Sequence, residues 1–118
     1  MWRVSDRALS EQVFLVLTAL ADTPQHGYGI VASVHDLSGG RTRLRVGTLY
    51  GVLDRLVADG WAEPDRDEIH QGRLRRYYRL TSTGVQVLAA ETARLAANVR
   101  AASAVLRARG VLGEGGRA

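Results

Sequence analysis

The 118-residue sequence contains no cysteine, no lysine, only two prolines and no long uninterrupted run of apolar residues. Without cysteine there is no disulfide framework and no thiolate metal site, so packing must stabilise the fold. No apolar segment approaches the roughly 20 residues that a membrane-spanning helix needs. The N-terminus also lacks the apolar stretch of a secretory signal. These absences predict a cytoplasmic protein of about one domain.

The sequence also lacks the motifs of several enzyme classes. It has no nucleophile elbow, phosphate-binding loop or His-Glu-x-x-His zinc motif, and no evident nucleophile stands beside His26 or His35. A metal site around His70 is a weak hypothesis, because solvated loop charges explain the nearby carboxylates better. We therefore expect a non-enzyme without a metal or other cofactor.

All 16 cationic side chains are arginines, and the formal net charge is +4. A GC-rich coding sequence is the simpler explanation of this preference, so the arginine content alone says little about a partner. The clustering is more informative, because Arg73, Arg75, Arg76 and Arg79 fall close together. Arginine forms forked hydrogen bonds with phosphate and guanine, so this cluster indicates a polyanionic partner.

Apolar periodicity predicts three short helices in the first half of the chain. Ser5 is available as the N-cap of the first helix, and Pro24 separates the first helix from the second. Gly60 suits a left-handed cap at the end of the third helix. A short strand is possible at Thr42 to Leu44. The predicted helices cover Asp6 to Ala21, His26 to Leu37 and Val46 to Asp59. Together they form a helix-turn-helix core.

A basic β-hairpin is predicted after the third helix. Its strands are Trp61 to Glu63 and Leu74 to Leu80, joined by an acidic loop, and Trp61 is expected in the core at its foot. Alternation places Leu74, Tyr78 and Leu80 towards the core and most arginines outwards. The loop carboxylates could instead pair with these arginines. Exposed ion pairs are worth only about 0 to 1 kcal/mol each, so phosphate can compete with them.

A short helix followed at once by a basic hairpin is typical of a winged helix that binds double-stranded DNA. The outer face of the third helix carries side chains that the core does not need, including Thr48, Gly51 and Arg55, with Tyr50 at its shoulder. Most amphipathic helices do not read DNA, so the prediction depends on the helix and the hairpin together. A protein-interaction module without DNA recognition is the alternative.

Four motifs in this order and spacing resemble those of the PadR-like transcriptional regulators, in their short form with a single C-terminal helix. They are HGYGI from His26, VGTLYGVLDRL from Val46, DGW from Asp59 and GRLRRYYRLTSTG from Gly72. The resemblance implies a dimeric winged-helix repressor that is controlled by an effector and binds palindromic operator DNA. The residues that the resemblance places at the DNA surface or in the wing are Tyr28, Thr48, Tyr50, Arg73, Arg75 and Arg76.

The chain departs from that family near the third helix. Many relatives have a Ser-Pro pair where this chain has Arg45-Val46, and loss of such a cap costs about 1 kcal/mol. Arg45 places a cation beside the groove in exchange, so we expect it to contact DNA. Arg55, on the outer face of the third helix, is also expected to contact DNA. Gly51 stands where proline is often found. Glycine at this position weakens the helix by roughly 0.5 to 1 kcal/mol relative to alanine.

A long helix is predicted from Ser82 to Arg109, with Thr81 as its N-cap. Its apolar residues recur at alternating steps of three and four, which indicates a seam that packs against another helix. This seam consists of Val85, Leu88, Thr92, Leu95, Val99, Ala102 and Leu106. The helix is about 40 Å long, further than a small domain covers. A second copy is therefore expected against its outer half, and a helix that folds back on its own domain is the alternative.

The predicted organisation is a winged-helix DNA-binding domain at 1–81, a dimerisation helix at 82–109 and a flexible tail at 110–118. Two recognition helices held about 34 Å apart would contact successive major grooves of a palindrome. In some short PadR-like regulators, flat aromatic compounds stack on a tryptophan of the long helix, but this helix has no aromatic residue. Trp2 is the candidate effector-binding residue, although packing against the partner helix is the simpler role for it.

Overall fold

The structure is a computed structural model that describes residues 8–112. This part of the chain forms four helices and a three-stranded antiparallel sheet with the order β1-β3-β2. The elements are α1 Glu11–Asp22, β1 Gln25–His26, α2 Gly27–Leu37, α3 Val46–Ala58, β2 Ala62–His70, β3 Arg73–Leu80 and α4 Ser82–Ala108. The expected class, mainly helical with a winged helix-turn-helix and a long C-terminal helix, is confirmed.

The first and last helices begin where a side chain can accept a hydrogen bond from the first turn. Ser10 Oγ accepts from the Val13 N–H at 3.1 Å, and Thr81 Oγ1 accepts from the Gly84 N–H at 3.1 Å. The predicted helix over residues 8–10 is therefore wrong, because α1 starts only after the Ser10 cap. Ser5, the expected cap, lies outside the described residues. The Thr81 cap of α4 is confirmed.

A single hydrophobic cluster joins α1, α2 and α3 to the base of the sheet. The sheet contributes Tyr78, and the residue before β2 contributes Trp61, so the expected place of Trp61 in the core is confirmed. Gly60 has a φ of 78° after α3, the left-handed conformation predicted for it. The largest fully buried side chains are Val16, Leu17, Ile30, Val34, Leu49, Leu53 and Leu56.

The hairpin of β2 and β3, hereafter the wing, is longer than predicted. β2 extends to His70, so most of the acidic segment expected to be a loop is strand. The turn is Gln71-Gly72, with φ values of 51° and 77°, the positive values that a tight two-residue hairpin turn needs. A β-bulge lies between Pro64 and Arg66. Charged residues are depleted in strands, so composition favoured a loop, whereas cross-strand ion pairs support the strand.

The third strand comes from an unexpected part of the chain. β1 pairs with β3, with Gln25 opposite Tyr78 and His26 opposite Tyr77. The strand considered at Thr42–Leu44 does not form, and within the described chain this segment joins no sheet. The alternation of arginine with Thr42 and Leu44 instead reflects burial, since Thr42 and Leu44 are buried in the domain. The Ser38 hydroxyl accepts from the Thr42 N–H at 2.9 Å in place of a strand partner.

Within residues 8–112, helix α4 packs against the domain with its first half only. Gly84 and Glu91 are buried, and Leu88 packs against the core. Glu91 is 6% exposed, accepts from the Leu9 N–H at 3.2 Å and pairs with the Arg94 guanidinium at 2.6 and 2.8 Å. The Arg94 guanidinium, and then the Leu9 amide, lower the pKa of Glu91. This carboxylate therefore fixes α4 to the chain just before α1.

The outer half of α4 projects from the domain. The helix has 27 residues and is about 40 Å long. Beyond Ala96 its side chains are exposed apart from the half-buried Ser103, and Val99 is 63% exposed. Among residues 8–112, no helix is both long and apolar enough to cross a membrane.

Gly84 provides a test of the packing between α4 and the wing. An added Cβ at this position would overlap the Trp61 carbonyl oxygen, which accepts from the Thr81 N–H at 3.0 Å. We expect Gly84→Ala to lower the free energy of unfolding by about 1–3 kcal/mol, the usual cost of overpacking, as measured by urea denaturation. Gly51→Ala is the matched control, because its Cβ meets no other part of the protein within 4 Å. It should stabilise α3 by about 0.5–1 kcal/mol. Equal stabilities of the two variants would contradict the close approach.

Candidate nucleic-acid interface

Helix α3 has one buried face and one open face. Leu49, Leu53 and Leu56 are buried, and the opposite side carries Gly51 and Ala58, both exposed. Among residues 8–112, no atom from another part of the chain lies within 4 Å of a Cβ built at Gly51. The exposed side is therefore accessible at Gly51, and the major groove of a double helix is wide enough to admit an α-helix.

The start of α3 differs from the starts of the other helices in the described chain. Side chains of Ser10, His26 and Thr81 accept hydrogen bonds from the first turns of α1, α2 and α4. Arg45, the N-cap of α3, makes no such bond. The first-turn amides of α3 thus have no capping side chain among residues 8–112, and the positive end of the helix dipole favours an anion there.

A groove of about 470 Å³ separates the wing from the first turns of α2 and α3. We call it the wing groove. Its helical side includes Tyr28, which is 64% exposed, and Tyr50. A Cβ at Gly27 would lie 2.7 Å from the Tyr50 hydroxyl oxygen, so glycine here allows the tyrosine to lie against α2. The residues that line the wing groove are His26, Gly27, Tyr28, Tyr50, His70, Gln71, Arg73, Leu74, Arg75 and Arg76.

The predicted DNA-contacting residues fall into three groups in space. Tyr28, Tyr50, Arg73, Arg75 and Arg76 come together in the wing groove. The other shoulder of α3 carries Thr48 and Arg55, which line a second cavity of about 400 Å³ between α3 and the start of α1. The exposed Arg45 lies at the start of α3 and lines neither cavity.

The wing satisfies much of its own charge. The Asp65 carboxylate lies 2.8 Å from both Arg66 and Arg79, and its pKa is lowered first by Arg79 and then by Arg66. The pKa of Glu68 is lowered first by Arg66. The other pairs are Arg66 with Glu68 at 2.6 Å, Arg79 with Glu63 at 2.9 Å and Arg76 with Asp67 at 3.3 Å. The acidic segment thus pairs with arginines, as its composition allowed.

Arg73 and Arg75 are the exceptions on β3. Within residues 8–112 neither guanidinium has a carboxylate at ion-pair distance. Both line the wing groove, so two arginines remain available to an anion at the position that the two tyrosines share. The same part of the chain contains no group of three or more side chains arranged to hold a metal ion.

One orientation predicted for β3 is wrong. Leu74 does not face the core but is 61% exposed, opposite the exposed Ile69, because the outer wing extends beyond the domain. Arg75 lies on the side of the strand opposite the buried Tyr78, as alternation predicts, and both Arg75 and Tyr77 are half-buried there. They lie on the side of the sheet that His26 covers, since β1 continues the sheet beside β3. The predicted burial of Tyr78 is confirmed.

His26 is a site residue that sequence reasoning did not select. Its Nδ1 accepts from the Gly29 N–H at 3.4 Å, and its ring meets the Tyr77 ring edge-on, with 5.1 Å between centroids. The Arg66 guanidinium lies 4.0 Å from the centroid of the same tyrosine. Burial, and then the charge of Arg75, lower the pKa of His26. Its position after the Thr23-Pro24 break was the available signal, because a histidine there can cap α2.

The comparison with protein families matches this geometry. The model described as "Transcriptional regulator PadR-like family" covers residues 16–90, which include the helix-turn-helix core, the whole wing and the first part of α4. The chain belongs to the PadR-like family. The resemblance seen in the sequence motifs is thereby confirmed.

Solved PadR structures share the fold. A PadR family transcriptional regulator from Eggerthella lenta is 29% identical, with a TM-score of 0.66 and 80% coverage of each chain. PadR from Bacillus subtilis, solved in complex with operator DNA, is 23% identical, with a TM-score of 0.57 over 64% of this chain and 43% of that chain. A protein from Clostridium difficile described as a PadR family transcription regulator is 24% identical, with a TM-score of 0.64 over 83% of this chain and 96% of that one.

A further sequence match lies in a longer protein. It is an uncharacterized 37.1 kDa protein in transposon TN4556 of Streptomyces fradiae, 43% identical over 77 residues. The match covers 65% of this chain but only 21% of that protein. The chain therefore corresponds to a small part of that relative.

The His26 cap predicts a pH-dependent stability. Its pKa is lowered from 6.5, so the neutral ring is favoured in the folded state. The stabilisation is fully present above about pH 6.5 and is lost as the pH falls through the lower folded-state pKa. His26→Asn keeps a capping oxygen that does not titrate. We expect its unfolding free energy, measured by urea denaturation, to fall less than that of the wild type between about pH 7.5 and 5.5. His35→Asn is the control, and identical pH profiles for wild type and His26→Asn would refute the role of the cap.

Proposed function

We propose that this PadR-like regulator is a homodimeric repressor that binds palindromic operator DNA and responds to an effector. The observation that carries the proposal is the wing groove, where Arg73 and Arg75 have no carboxylate partner in the described chain and face Tyr28 and Tyr50. Guanidinium and phenol groups at one accessible groove are suited to phosphate and sugar contacts.

In this proposal α3 enters the major groove. Its glycine-rich outer face allows close approach, and its uncapped first turn donates N–H groups to a phosphate. Arg55 and Thr48, on the shoulder away from the wing, are in position to contact base edges or the opposite strand. The wing arginines then bind the adjacent backbone through charge-assisted hydrogen bonds.

The outer half of α4 supports a homodimer. Val85, Val99 and Leu106 are exposed, and Ala102 lies between the last two on the same face. Leu95 is half-buried, and Leu88 packs partly against the core of its own domain, so the outer part of the seam is the part available to a second copy. A dimer built along α4 would hold two α3 helices at a fixed spacing, which a palindrome with half-sites about 34 Å apart would match.

Effector control follows from the same arrangement, because a compound that changes the packing of α4 changes that spacing. Trp2, the expected stacking residue, lies outside the described residues and remains a prediction. The α1–α3 cavity, lined by Trp61 and by apolar side chains of both helices, is a further place where a small molecule would contact the DNA-binding helix.

DNA binding is tested by recovering the genomic fragments that the purified protein retains and sequencing them. We expect a shared palindrome, and affinity for it that falls by orders of magnitude between about 50 and 200 mM salt. Fragments without a common sequence, or affinity independent of salt, would favour a protein-interaction module instead.

Variants of the wing locate this binding. Arg73→Gln/Arg75→Gln should reduce the slope of log affinity against log salt by about 1–2 per protomer. The matched control is Arg66→Gln/Arg79→Gln, which removes the same charge from arginines that already have carboxylate partners. The control should change the slope less. The opposite ranking would argue against the wing groove as the DNA contact.

The dimer is tested on the outer half of α4. Val99→Glu/Leu106→Glu should yield monomers in sedimentation velocity, because four charges would then be brought into one apolar contact. Ala97→Glu/Ala104→Glu adds the same charges seven residues apart on the opposite face of the helix, where both alanines are exposed. This control should remain dimeric. A dimer that tolerates the seam variant would show that another surface joins the two copies.

A further inference from the structure

A second run of arginines lies in the connection between α2 and α3. Arg41, Arg43 and Arg45 are exposed, whereas Thr42 and Leu44 between them are buried. In extended backbone, alternate side chains point to the same side. The alternate exposure indicates that the three arginine side chains leave the backbone on its exposed side, and we call this set the arginine strip.

The backbone that carries the strip is well fixed. Gly39 and Gly40 turn the chain after α2 with φ values of 64° and 84°, and the Arg41 N–H donates to the Ser38 carbonyl oxygen at 3.3 Å. The Ser38 hydroxyl donates to the His35 carbonyl oxygen at 3.0 Å and accepts from the Thr42 N–H. Leu44 then enters the hydrophobic core. Little conformational entropy of the backbone would be lost when the strip binds a ligand.

The strip has no ion-pair partner among residues 8–112. The nearby acidic group is Asp36, which lines a shallow cavity of about 300 Å³ together with Arg43. The Asp36 carboxylate lies 3.8 Å from the His35 ring rather than at ion-pair distance from the strip. The strip therefore differs from the wing as a whole, where acidic residues accompany most of the arginines.

The position of the strip relates it to the wing groove. Tyr28 lines both the wing groove and the cavity that contains Arg43. The strip also leads directly into α3, because Arg45 is the N-cap of that helix. Arg43 of the strip and the β3 arginines Arg73 and Arg75 thus line two cavities that meet at Tyr28.

We propose that the arginine strip is a second backbone-binding site for double-stranded DNA, which holds phosphates next to those bound by the wing. The inference rests on the proposed DNA-binding function and extends it to Arg41 and Arg43. Alternate residues of an extended chain are about 6.8 Å apart, close to the distance between successive phosphates of one strand. Forked guanidinium groups at that spacing suit a row of phosphates better than an apolar or cationic partner.

The site is tested with a fluorescein-labelled duplex of mixed sequence, because phosphate contacts do not depend on the bases. Affinity is measured by fluorescence anisotropy over a range of NaCl concentrations. The strip variant is Arg41→Gln/Arg43→Gln/Arg45→Gln. Its matched control is Arg100→Gln/Arg107→Gln/Arg109→Gln, which removes the same charge from exposed positions outside the α4 seam.

Each lost phosphate contact should reduce the slope of log affinity against log salt by about 0.9. We expect the strip variant to lose about 2–3 per bound protomer and the control to lose less than about 1 in total. Lysine at the same three positions should retain the slope, because an ammonium group also binds phosphate. If the triple variant does not fold, as judged by thermal denaturation, the single variant Arg43→Gln should still lose about 0.9.

An unchanged slope in the folded strip variant would overturn the proposal, and so would an equal loss in the control, since the effect would then follow net charge. The wing variant distinguishes a failure of the strip proposal from a failure of the proposed DNA-binding function. If removal of Arg73 and Arg75 reduces the slope and removal of the strip does not, only the strip proposal fails. If the wild-type protein has no salt-dependent affinity for DNA, both the strip proposal and the proposed function fail.

Discussion

Leu49, Leu53 and Leu56 are buried among side chains of α1, α2 and the base of the wing, and this packing determines what the rest of the domain can do. A helix that buries one face completely must expose the other, so the orientation of α3 is set by its leucines rather than by its outward residues. The same packing brings Gly60 and Trp61 to the point where the wing begins. The wing and α3 are therefore positioned by one core.

The wing is rich in arginine, but carboxylates of its own strand β2 neutralise much of that positive charge. Arg66, Arg76 and Arg79 are held by carboxylates of β2, while Arg73 and Arg75 are not. Pairs of this kind are individually weak in solvent, yet several of them across two strands order long side chains that would otherwise be mobile. The wing thus combines a rigid, nearly neutral base with a short basic end that faces the helices.

The sequence indicated the elements that have strong local signals. Three short helices, the left-handed Gly60, the Thr81 cap and the long last helix each follow from periodicity or capping chemistry, and each is present. Long-range contacts were not predictable in this way. The pairing of Gln25 and His26 with β3 depends on residues that are distant in the chain, and a two-residue strand has no periodicity of its own. The predicted start of the first helix was too early because Ser5 and Ser10 offer equivalent capping chemistry in the sequence, and the helix begins after Ser10.

The features of the candidate site also divide into those that the sequence could predict and those that it could not. The tyrosines and wing arginines that the family resemblance implied do meet in one groove. Sequence could not separate paired from unpaired arginines, since that depends on the cross-strand register and on the bulge at Pro64 and Arg66. Helical spacing already separated Tyr50 from Thr48 and Arg55, but the cavity that each shoulder of α3 lines depends on the neighbouring elements and could not be predicted.

The buried carboxylate of Glu91 has a mechanical consequence. It is the point at which α4 is attached to the chain before α1, through the Leu9 amide, and Leu9 also lines the α1–α3 cavity. If α4 rotates about its own axis or slides lengthwise, the carboxylate must leave that amide, and a buried charge then loses part of its solvation. A change in the angle between the long helix and the DNA-binding body therefore costs this hydrogen bond. Leu9 links such a movement of the long helix to the wall of the cavity beside α3.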